Sequence, residues 1–402
     1  VLHTAMRSRG KLIDELFDLN AYTRLLEQGL VLSPAREREL RARAEVLRAS
    51  SDPTPQAELE TILALLDRPV FQPGGAATVT VGVQRRIGPE SIWFDQVHVH
   101  FEQVDLLPRA FPYPLRGRDV TLAKIDYEAS VSGGEYQGLT GASARIGAKL
   151  DLEKFDAPGV PFVPDVEIVA TGVPADELLY FAIPEAEGLS PDGRPLRDVI
   201  RRLGLDGKGD ADARVFQLES GEPGYSIRVN TAGMTVTPDN RREPGHLILS
   251  ELRGGLDIRH DGLDFDLRGR CGAIGAADSP LTMRAQLAWP SEPATGSSSL
   301  LFMADATDLD AATPVGELVA LFSPDAADAL TGLRRDHQPT GRADVVCEVK
   351  RTGGTTPDVR IIVSNIENAE IDLRGARVAI ADCRGRVEYT RLDGRGAVRF
   401  HD

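Results

Sequence analysis

The spacing of apolar residues changes near residue 70. Before that point they recur every three or four positions, as at Leu59, Ile62 and Leu66, which predicts amphipathic helices. Residues 1–70 are therefore expected to form a helical lead-in. Its helices are expected near residues 11–29, 35–48 and 56–66.

After Gly74 the period becomes two, which is typical of strands with one apolar and one polar face. One such run is Val97, Val99 and Phe101, and the residues between them are polar. The same alternation continues through the middle of the chain. Strands are expected there at about 210–219, 225–237, 246–259, 262–270 and 280–289.

The strand-rich part repeats at intervals of about 130 residues. Gly75, Gly209 and Gly341 each open a strand with apolar residues at the same offsets, and a short amphipathic helix precedes each repeat. These observations predict four segments. They are the helical lead-in (1–70), a first β-repeat unit (71–172), a helix with a second unit (173–303), and a helix with a third, truncated unit (304–402).

A sheet with one apolar face must hide that face from water. About five strands spaced 4.8 Å apart make a sheet roughly 24 Å wide, whereas one helix covers a strip about 10 Å wide. Three arrangements therefore stay open: sheets packed as sandwiches, sheets closed as barrels, or sheets joined edge to edge into a long curled sheet. The aromatic content of 5% favours the third, because aromatic side chains are the usual fillers of a wide core.

Composition excludes several partners. A formal net charge of −15 argues against nucleic acid and against anionic lipid headgroups as electrostatic partners. No apolar run approaches the ~18 residues that cross a bilayer. The three isolated cysteines provide neither a disulfide framework nor metal-site spacing. Because the chain begins with Val1 and stops within a repeat, it is expected to be a piece of a longer protein.

No motif predicts catalysis, a metal site or a cofactor. His98 and His100 share one face of a strand, but no third ligand accompanies them. The acidic turn around Asp210 lacks the pattern of a calcium loop. Asp264 and Asp266 fall on the polar face of their strand, as solvated residues do. Their charges are expected to be balanced by Arg253, Arg268, Arg384 and Arg386.

The repeat architecture, the strand at 247–256 and the incomplete last unit resemble the AsmA-like superfamily. That superfamily includes TamB-type and other bridge-like lipid-transfer proteins built from repeating β-groove units. The resemblance covers about residues 70–402 and rests on pattern and repeat length. It implies a mainly β fold with an α-helical N-terminal segment, in which tandem units of a short helix and about five antiparallel strands form a long curled sheet, the β-groove.

The resemblance also implies a function. The chain is expected to be a non-enzymatic protein of the periplasm or cell envelope, anchored in the membrane by a segment outside this sequence. It would carry phospholipid acyl chains along an apolar groove between membranes, or support outer-membrane biogenesis, with envelope membrane proteins as possible partners at its ends. The alternative is a structural scaffold of β-repeats whose apolar faces pack on themselves and leave no conduit.

The residues expected to line the groove are the apolar members of the alternating strands. Each of them is also compatible with an ordinary core position. They are Val97, Val99, Phe101, Ile146, Leu150, Ile227, Val229, Leu263, Phe265, Leu267, Met283, Leu287, Ile361 and Val363.

Overall fold

The chain divides into two compact units. Unit 1 comprises Val1–Glu185 and Ala211–Gly224, and unit 2 comprises Ala186–Asp210 and Tyr225–Asp402. The three-repeat division of the strand-rich part stays a prediction. The computed structural model describes residues 2–8, 20, 22–24, 34–49, 56–66, 75–85, 92–107, 113–151, 165–182, 196–218, 223–288, 299–320, 324–352, 358–373, 376–380, 383–392 and 395–401.

The helices are short. The first two lie where the sequence places helices of the lead-in, whereas the helix expected near 11–29 lies largely outside the described residues. The helices with described bounds are α1 (Pro34–Ala49), α2 (Gln56–Leu66), α3 (Glu177–Ala182), α4 (Leu196–Leu203), α5 (Gly316–Ala320) and α6 (Pro324–His337).

Helices α1 and α2 form a hairpin with its own small core. Leu40, Ala44 and Leu47 lie one helical turn apart and bury their side chains against Ile62 of α2. Arg43 donates to Glu58 across the same pair of helices, with Nε 2.9 Å from Oε1. The hairpin therefore closes part of its apolar surface without help from the sheet.

Unit 1 contains an antiparallel sheet. Neighbouring strands from β1 to β7 pair in chain order, and β7 also pairs with β9. Strand β1 differs from the expectation that residues 1–70 form only helices. The strands are β1 (Leu2–Ser8), β2 (Gly75–Arg85), β3 (Ile92–Leu106), β4 (Leu115–Ile125), β5 (Glu128–Gly138), β6 (Ser143–Asp151) and β7 (Asp165–Pro174). Strand β8 (Leu205–Asp206) belongs to unit 2, and β9 (Lys208–Gln217) belongs to unit 1 only after Asp210.

Unit 2 also contains an open antiparallel sheet. Its strands pair in chain order from β10 to β16, and the first half of β16 pairs with β18 whereas its second half pairs with β17. A mainly β chain with open antiparallel sheets and few helices confirms the expected fold class. The strands are β10 (Pro223–Val236), β11 (Leu247–Arg259), β12 (Gly262–Ala273), β13 (Asp278–Ala288), β14 (Ser299–Asp310), β15 (Thr340–Thr352), β16 (Asp358–Leu373), β17 (Ala376–Ile380), β18 (Cys383–Leu392) and β19 (Arg395–His401).

In unit 2, β-bulges lie at corresponding positions of β10, β11, β14, β15 and β16, whereas the ladders of β13 with β12 and β14 are regular; we call the bulged positions the bulge line. At each bulge the register shifts, and a residue with positive φ lies in the bulged strand. Such residues increase local twist and free backbone groups from the ladder. The positive-φ residues of the bulge line are Gly233, Glu251, Asp308, Gly341, Asn365 and Asn368.

Polar side chains satisfy the backbone groups that the bulges free. Ser279 Oγ donates to the carbonyl oxygen of Asp308 at 2.7 Å, and the guanidinium of Arg342 donates to the same oxygen at 2.7 Å. The amide of Asp308 in turn donates to Asp344 Oδ1 at 2.8 Å. Because a buried, unpaired backbone group is costly, this network stabilises the bulge.

The helices of unit 2 are tied to one end of the sheet. Glu317 of α5 accepts a hydrogen bond from the amide of Leu247 at 2.9 Å, at the start of β11. His337, the last residue of α6, has its Nδ1 2.9 Å from the carbonyl oxygen of Asp372 near the end of β16. Fully buried apolar residues are concentrated on this side of the bulge line. They include Met234, Val236, Leu247, Leu249, Leu252, Cys271 and Ala369.

Candidate functional site

On the other side of the bulge line, apolar residues of unit 2 form continuous rows across the strands. Each residue of a row lies directly opposite the next in the antiparallel register, so the whole row occupies one face of the sheet. We call this surface the apolar face. Its central row is Val229, Leu256, Phe265, Ala285, Phe302, Val349 and Val359.

Two further rows flank the central one. In both, the same cross-strand pairing continues over five strands or more. One row is Ile227, Ile258, Leu263, Leu287 and Leu300, and the other is Leu267, Met283, Ala304, Cys347, Ile361 and Tyr389.

All nine groove residues expected from the sequence in this unit lie on the apolar face. Six of them belong to the two flanking rows and two, Val229 and Phe265, to the central row, as the alternation predicts. Val363 lies one row further, opposite Val345 and Val387. The structure thus places these nine together, although whether they contact a lipid stays a prediction.

Most side chains of the apolar face are half-buried. Large central residues such as Phe265 and Phe302 keep part of their surface in contact with solvent, although strands flank them on both sides. Met283 and Ala285 are exceptions, since each is 6% exposed. An aliphatic side chain under a tightly packed second layer is normally fully buried. The rows beyond the bulge line are therefore less completely covered than the helix-bearing end.

The opposite face of the same strands carries ion pairs. Arg228 contacts Asp257 at 2.8 Å, and Arg360 contacts Glu388 at 2.7 Å. The hydrogen bond from Arg360 holds the pKa of the Glu388 carboxyl below its ordinary value. This face is the solvated one, which matches the period-two pattern.

Asp264 and Asp266 lie on this polar face as expected, but their partners differ from the expectation. Asp264 pairs with Arg259 at 2.7 Å, and Asp266 pairs with Arg284 at 3.0 Å. The expectation that Arg253 and Arg268 balance them is wrong, because Asp266 lies directly opposite Arg284 of β13 and Asp264 is within reach of Arg259 of β11. Among the side chains that the structure describes, Arg386 forms no ion pair with either aspartate, and the side chain of Arg384 lies outside them.

Unit 1 repeats the arrangement on a smaller scale. Val99 lies opposite Val79 on one side and Leu122 on the other, and the row continues through Val131 and Ala148. Val97 occupies the neighbouring row, between Val81 and Lys124. Leu150 belongs to β6, but its side chain lies outside the described residues.

Two groove residues expected in unit 1 also contact a closed core. Phe101 and Ile146 pack against a buried cluster that includes Val104, Tyr136 and Leu178 of α3. For these two positions the ordinary core interpretation has direct structural support. The covered and uncovered parts of the face are therefore contiguous.

Several residues of the apolar face were missed by the sequence interpretation. In β14, Leu300, Leu301, Phe302 and Met303 are consecutive apolar residues, so alternation could not show which of them share a face. The cross-strand register does: Phe302 faces Ala285 and Val349 on the apolar face, whereas Met303 faces Arg284 and Glu348. Met303 is accordingly 41% exposed.

The titratable groups do not assemble into an obvious chemical site. In the parts of the chain that the structure describes, no group of three or more His, Cys, Asp or Glu residues is placed to hold a metal ion. His100 lies 3.4 Å from the hydroxyl of Thr121 and 3.9 Å from Asp119. Both contacts are at the surface and are typical of a solvated strand.

The described helices include none that is long and apolar enough to span a bilayer. Comparison of the chain with family models, with curated proteins and with solved structures finds no match in any of the three.

Proposed function

We propose that this chain binds lipid acyl chains on the apolar face of its sheet, as a non-enzymatic protein of the cell envelope resembling AsmA-like proteins. The observation that carries the proposal is the set of in-register rows in unit 2. They place half-buried aliphatic side chains side by side across at least seven strands, from Val229 to Val359. A contiguous apolar surface that stays partly accessible to solvent supports an interaction site.

The physical properties of the face suit an acyl chain. Each methylene group that stays out of water contributes about 0.8 kcal/mol, so a tail that leaves a bilayer for the apolar face keeps most of its hydrophobic stabilisation. The contacts are non-directional, so no hydrogen bond fixes the tail at one position. The ion-paired opposite face keeps the same strands soluble in water.

A role in moving phospholipid between membranes, or in supporting outer-membrane biogenesis, follows from this binding mode together with the resemblance in repeat pattern. The same resemblance supports the periplasm or cell envelope as the location. We expect no catalysed reaction and no cofactor, and we expect phospholipids and envelope membrane proteins as partners.

Lipid extraction and native mass spectrometry of the purified protein test the proposal. We expect co-purified phospholipid with the parent chain. Phe302→Arg places a charge on the apolar face and is expected to lower bound lipid at least about tenfold, because a cation is costly to bury against hydrocarbon. Met303→Arg is the matched control, since the adjacent residue of β14 lies on the polar face.

Val349→Thr provides a milder variant that keeps the shape and strand preference of the side chain. It adds one hydroxyl to the central row and is expected to reduce lipid binding while circular dichroism shows an unchanged fold. Equal lipid content in Phe302→Arg and Met303→Arg, or no lipid in the folded parent chain, would contradict the proposal. The second result would favour the self-packed scaffold instead.

A further inference from the structure

We propose that Arg253 and Arg268 form a binding site for a phosphate group on the polar face of unit 2. Arg253 of β11 lies directly opposite Arg268 of β12 in the antiparallel register, and both residues are exposed. Two like charges in directly opposed positions destabilise a strand pair. An anion bound between them would remove that repulsion.

The bulge in β11 creates this pair. Ser250 lies opposite Arg270, and a regular ladder would continue by placing Leu252 opposite Arg268. The extra residue, with Glu251 at φ 53°, shifts the register so that Arg253 takes that place and Leu252 is buried. The two arginines therefore occupy directly opposed positions on one face because of a specific backbone irregularity.

A second like-charged pair on the same face provides a contrast. Asp257 and Asp264 also lie directly opposite each other, but Arg228 neutralises the first at 2.8 Å and Arg259 the second at 2.7 Å. In the described part of the chain, no carboxylate lies within ion-pair distance of Arg253 or Arg268.

Two of the nearby acidic groups are engaged in ion pairs with other arginines, and a third, Glu251, lines the same surface depression as the two arginines. Asp266 pairs with Arg284 at 3.0 Å, and Asp278 pairs with Arg270 at 2.7 Å. Glu251 is exposed and makes no ion pair with either arginine. The unbalanced charge at this position is therefore positive, although the whole chain carries −15.

The two arginines border a shallow depression of about 590 Å³. It is large enough for a phosphate group and its substituent. Its lining residues are Glu251, Arg253, Gly254, Asp266, Arg268, Gly269 and Arg270.

Guanidinium chemistry favours phosphate as the ligand. Two planar forks can each donate paired hydrogen bonds to the oxygens of one tetrahedral anion, and such charge-assisted bonds are among the strongest in proteins. The source expected is a small soluble phosphate compound, because the net charge of −15 opposes approach to an anionic membrane. The site is on the face opposite Leu252 and Leu267, so it is independent of the lipid-binding proposal.

Isothermal titration calorimetry with inorganic phosphate, in buffer of constant ionic strength, tests the site. We expect saturable binding to the parent chain and at least about tenfold weaker binding to the double variant Arg253→Gln/Arg268→Gln, because two charge-assisted contacts are lost. The matched control is Arg228→Gln/Arg360→Gln. It removes the same number of charges from the same face at positions that carboxylates already neutralise.

Without phosphate, the double variant is expected to unfold at the same temperature as the parent chain or higher, because the repulsion is relieved. Vesicles of phosphatidylcholine with and without phosphatidylglycerol separate the possible sources. Binding of both inorganic phosphate and phosphatidylglycerol vesicles through these arginines supports the phosphate site and adds the headgroup as a source. Equal phosphate affinity in the double variant and its control, or no binding of either probe, would overturn it.

Discussion

At the residue scale, Tyr136 places a hydroxyl without a hydrogen-bond partner in the described core of unit 1. Its side chain is fully buried, and its hydroxyl has no hydrogen-bond partner in the described structure. Burial raises the pKa of Tyr136 to about 12. The ring packs closely over Gly117, where even a methyl group would overlap it, so the backbone holds the hydroxyl in its place.

We therefore expect Tyr136→Phe to leave stability unchanged or to raise it by about 1 kcal/mol, since the lost hydroxyl makes no hydrogen bond in the described structure. Urea unfolding at pH 8 measures the change. Tyr113→Phe is the control, because that hydroxyl lies 2.9 Å from Thr140 Oγ1 and its loss is expected to cost about 1 kcal/mol. A larger loss in Tyr136→Phe than in Tyr113→Phe would contradict the expectation.

The same tyrosine predicts a dependence on alkaline pH. Its folded-state pKa lies above the ordinary value of 10.0, so the unfolded chain loses the proton first. Deprotonation of this tyrosine in the unfolded chain therefore leaves stability unaffected below about pH 10 and lowers it as the pH rises towards about 12. Unfolding free energies measured from pH 8 to pH 12 should fall less steeply in Tyr136→Phe than in the parent chain, and identical slopes would exclude this contribution.

Two bidentate ion pairs in unit 1 differ mainly in burial. Asp105 is 2% exposed and accepts from Arg116 at 2.8 and 3.1 Å, whereas Asp165 is largely exposed and accepts from Arg214 at 2.9 and 2.7 Å. We expect Asp105→Asn to destabilise the protein by about 2 kcal/mol, because a buried side chain loses its charge-assisted hydrogen bonds from Arg116, which is itself 32% exposed. Asp165→Asn should change stability little, since water already screens the exposed pair. Denaturant unfolding of both variants measures the difference, and equal losses would show that burial does not set the strength of these pairs.

At the element scale, the turn after α4 is fixed by close contact with the segment after β10. Gly204 has φ 60° and its carbonyl accepts from both the amide and the hydroxyl of Thr237, at 3.1 and 3.2 Å. A Cβ at Gly204 would overlap the carbonyl oxygen of Thr237. Only glycine satisfies both the backbone conformation and the contact.

We expect Gly204→Ala to cost at least about 2 kcal/mol, from the left-handed backbone conformation and the steric overlap together. Gly245→Ala separates the two causes. Gly245 also has positive φ, 89°, but a Cβ there would meet no atom within 4 Å, so a loss of only about 1 kcal/mol is expected. Thermal unfolding measures both, and equal shifts in the two variants would remove the steric explanation.

The strands of unit 2 show what alternation alone can predict. The expected strand at 246–259 is observed at Leu247–Arg259, and the one at 262–270 at Gly262–Ala273. In β12 apolar residues stand at every second position, so its period and face were readable directly, whereas in β11 the apolar positions change parity at the bulge. Alternation also placed Leu263, Phe265 and Leu267 correctly on one face.

The bulges and the ion-pair partners could not be predicted in the same way. The bulge at Glu251 depends on how β11 pairs with β12. Glutamate has no local preference for positive φ, so the residue type does not predict the bulge. Once the register shifts there, Arg253 changes face. Asp266 pairs with Arg284 because the two lie directly opposite each other in β12 and β13, which a single strand's sequence does not show. The ion pairs therefore depend on tertiary pairing, whereas the apolar face follows from the sequence wherever apolar and polar residues alternate.

At the scale of the whole molecule, the reactivity of two cysteines measures how accessible the apolar face is. Cys347 lies half-buried between Ala304 and Ile361 in a flanking row, and burial raises the pKa of its thiol. Cys271 is buried, and burial raises the pKa of its thiol to about 11. The two cysteines therefore report on an open and a closed part of the same unit.

In a Cys383→Ser background, we expect a maleimide reagent at pH 8 to modify Cys347 more than about tenfold faster than Cys271, since Cys271 is buried and Cys347 is only partly so. Loading with phosphatidylcholine should slow the reaction of Cys347 and leave Cys271 unchanged. Peptide mass spectrometry assigns the modified residue. If lipid fails to protect Cys347 while it binds to the protein, the lipid occupies another surface.

The bulge line also affects how the sequence can change in length. Elsewhere in a strand, inserting or deleting one residue would exchange the inner and outer sides of everything beyond it. At Gly233, Glu251 or Asp308 the strand already accommodates a surplus residue, and neighbouring polar groups such as Ser279 and Arg342 bind the backbone that this exposes. Insertions and deletions of single residues can therefore accumulate at the bulge line during evolution, while the apolar face of the sheet keeps its orientation.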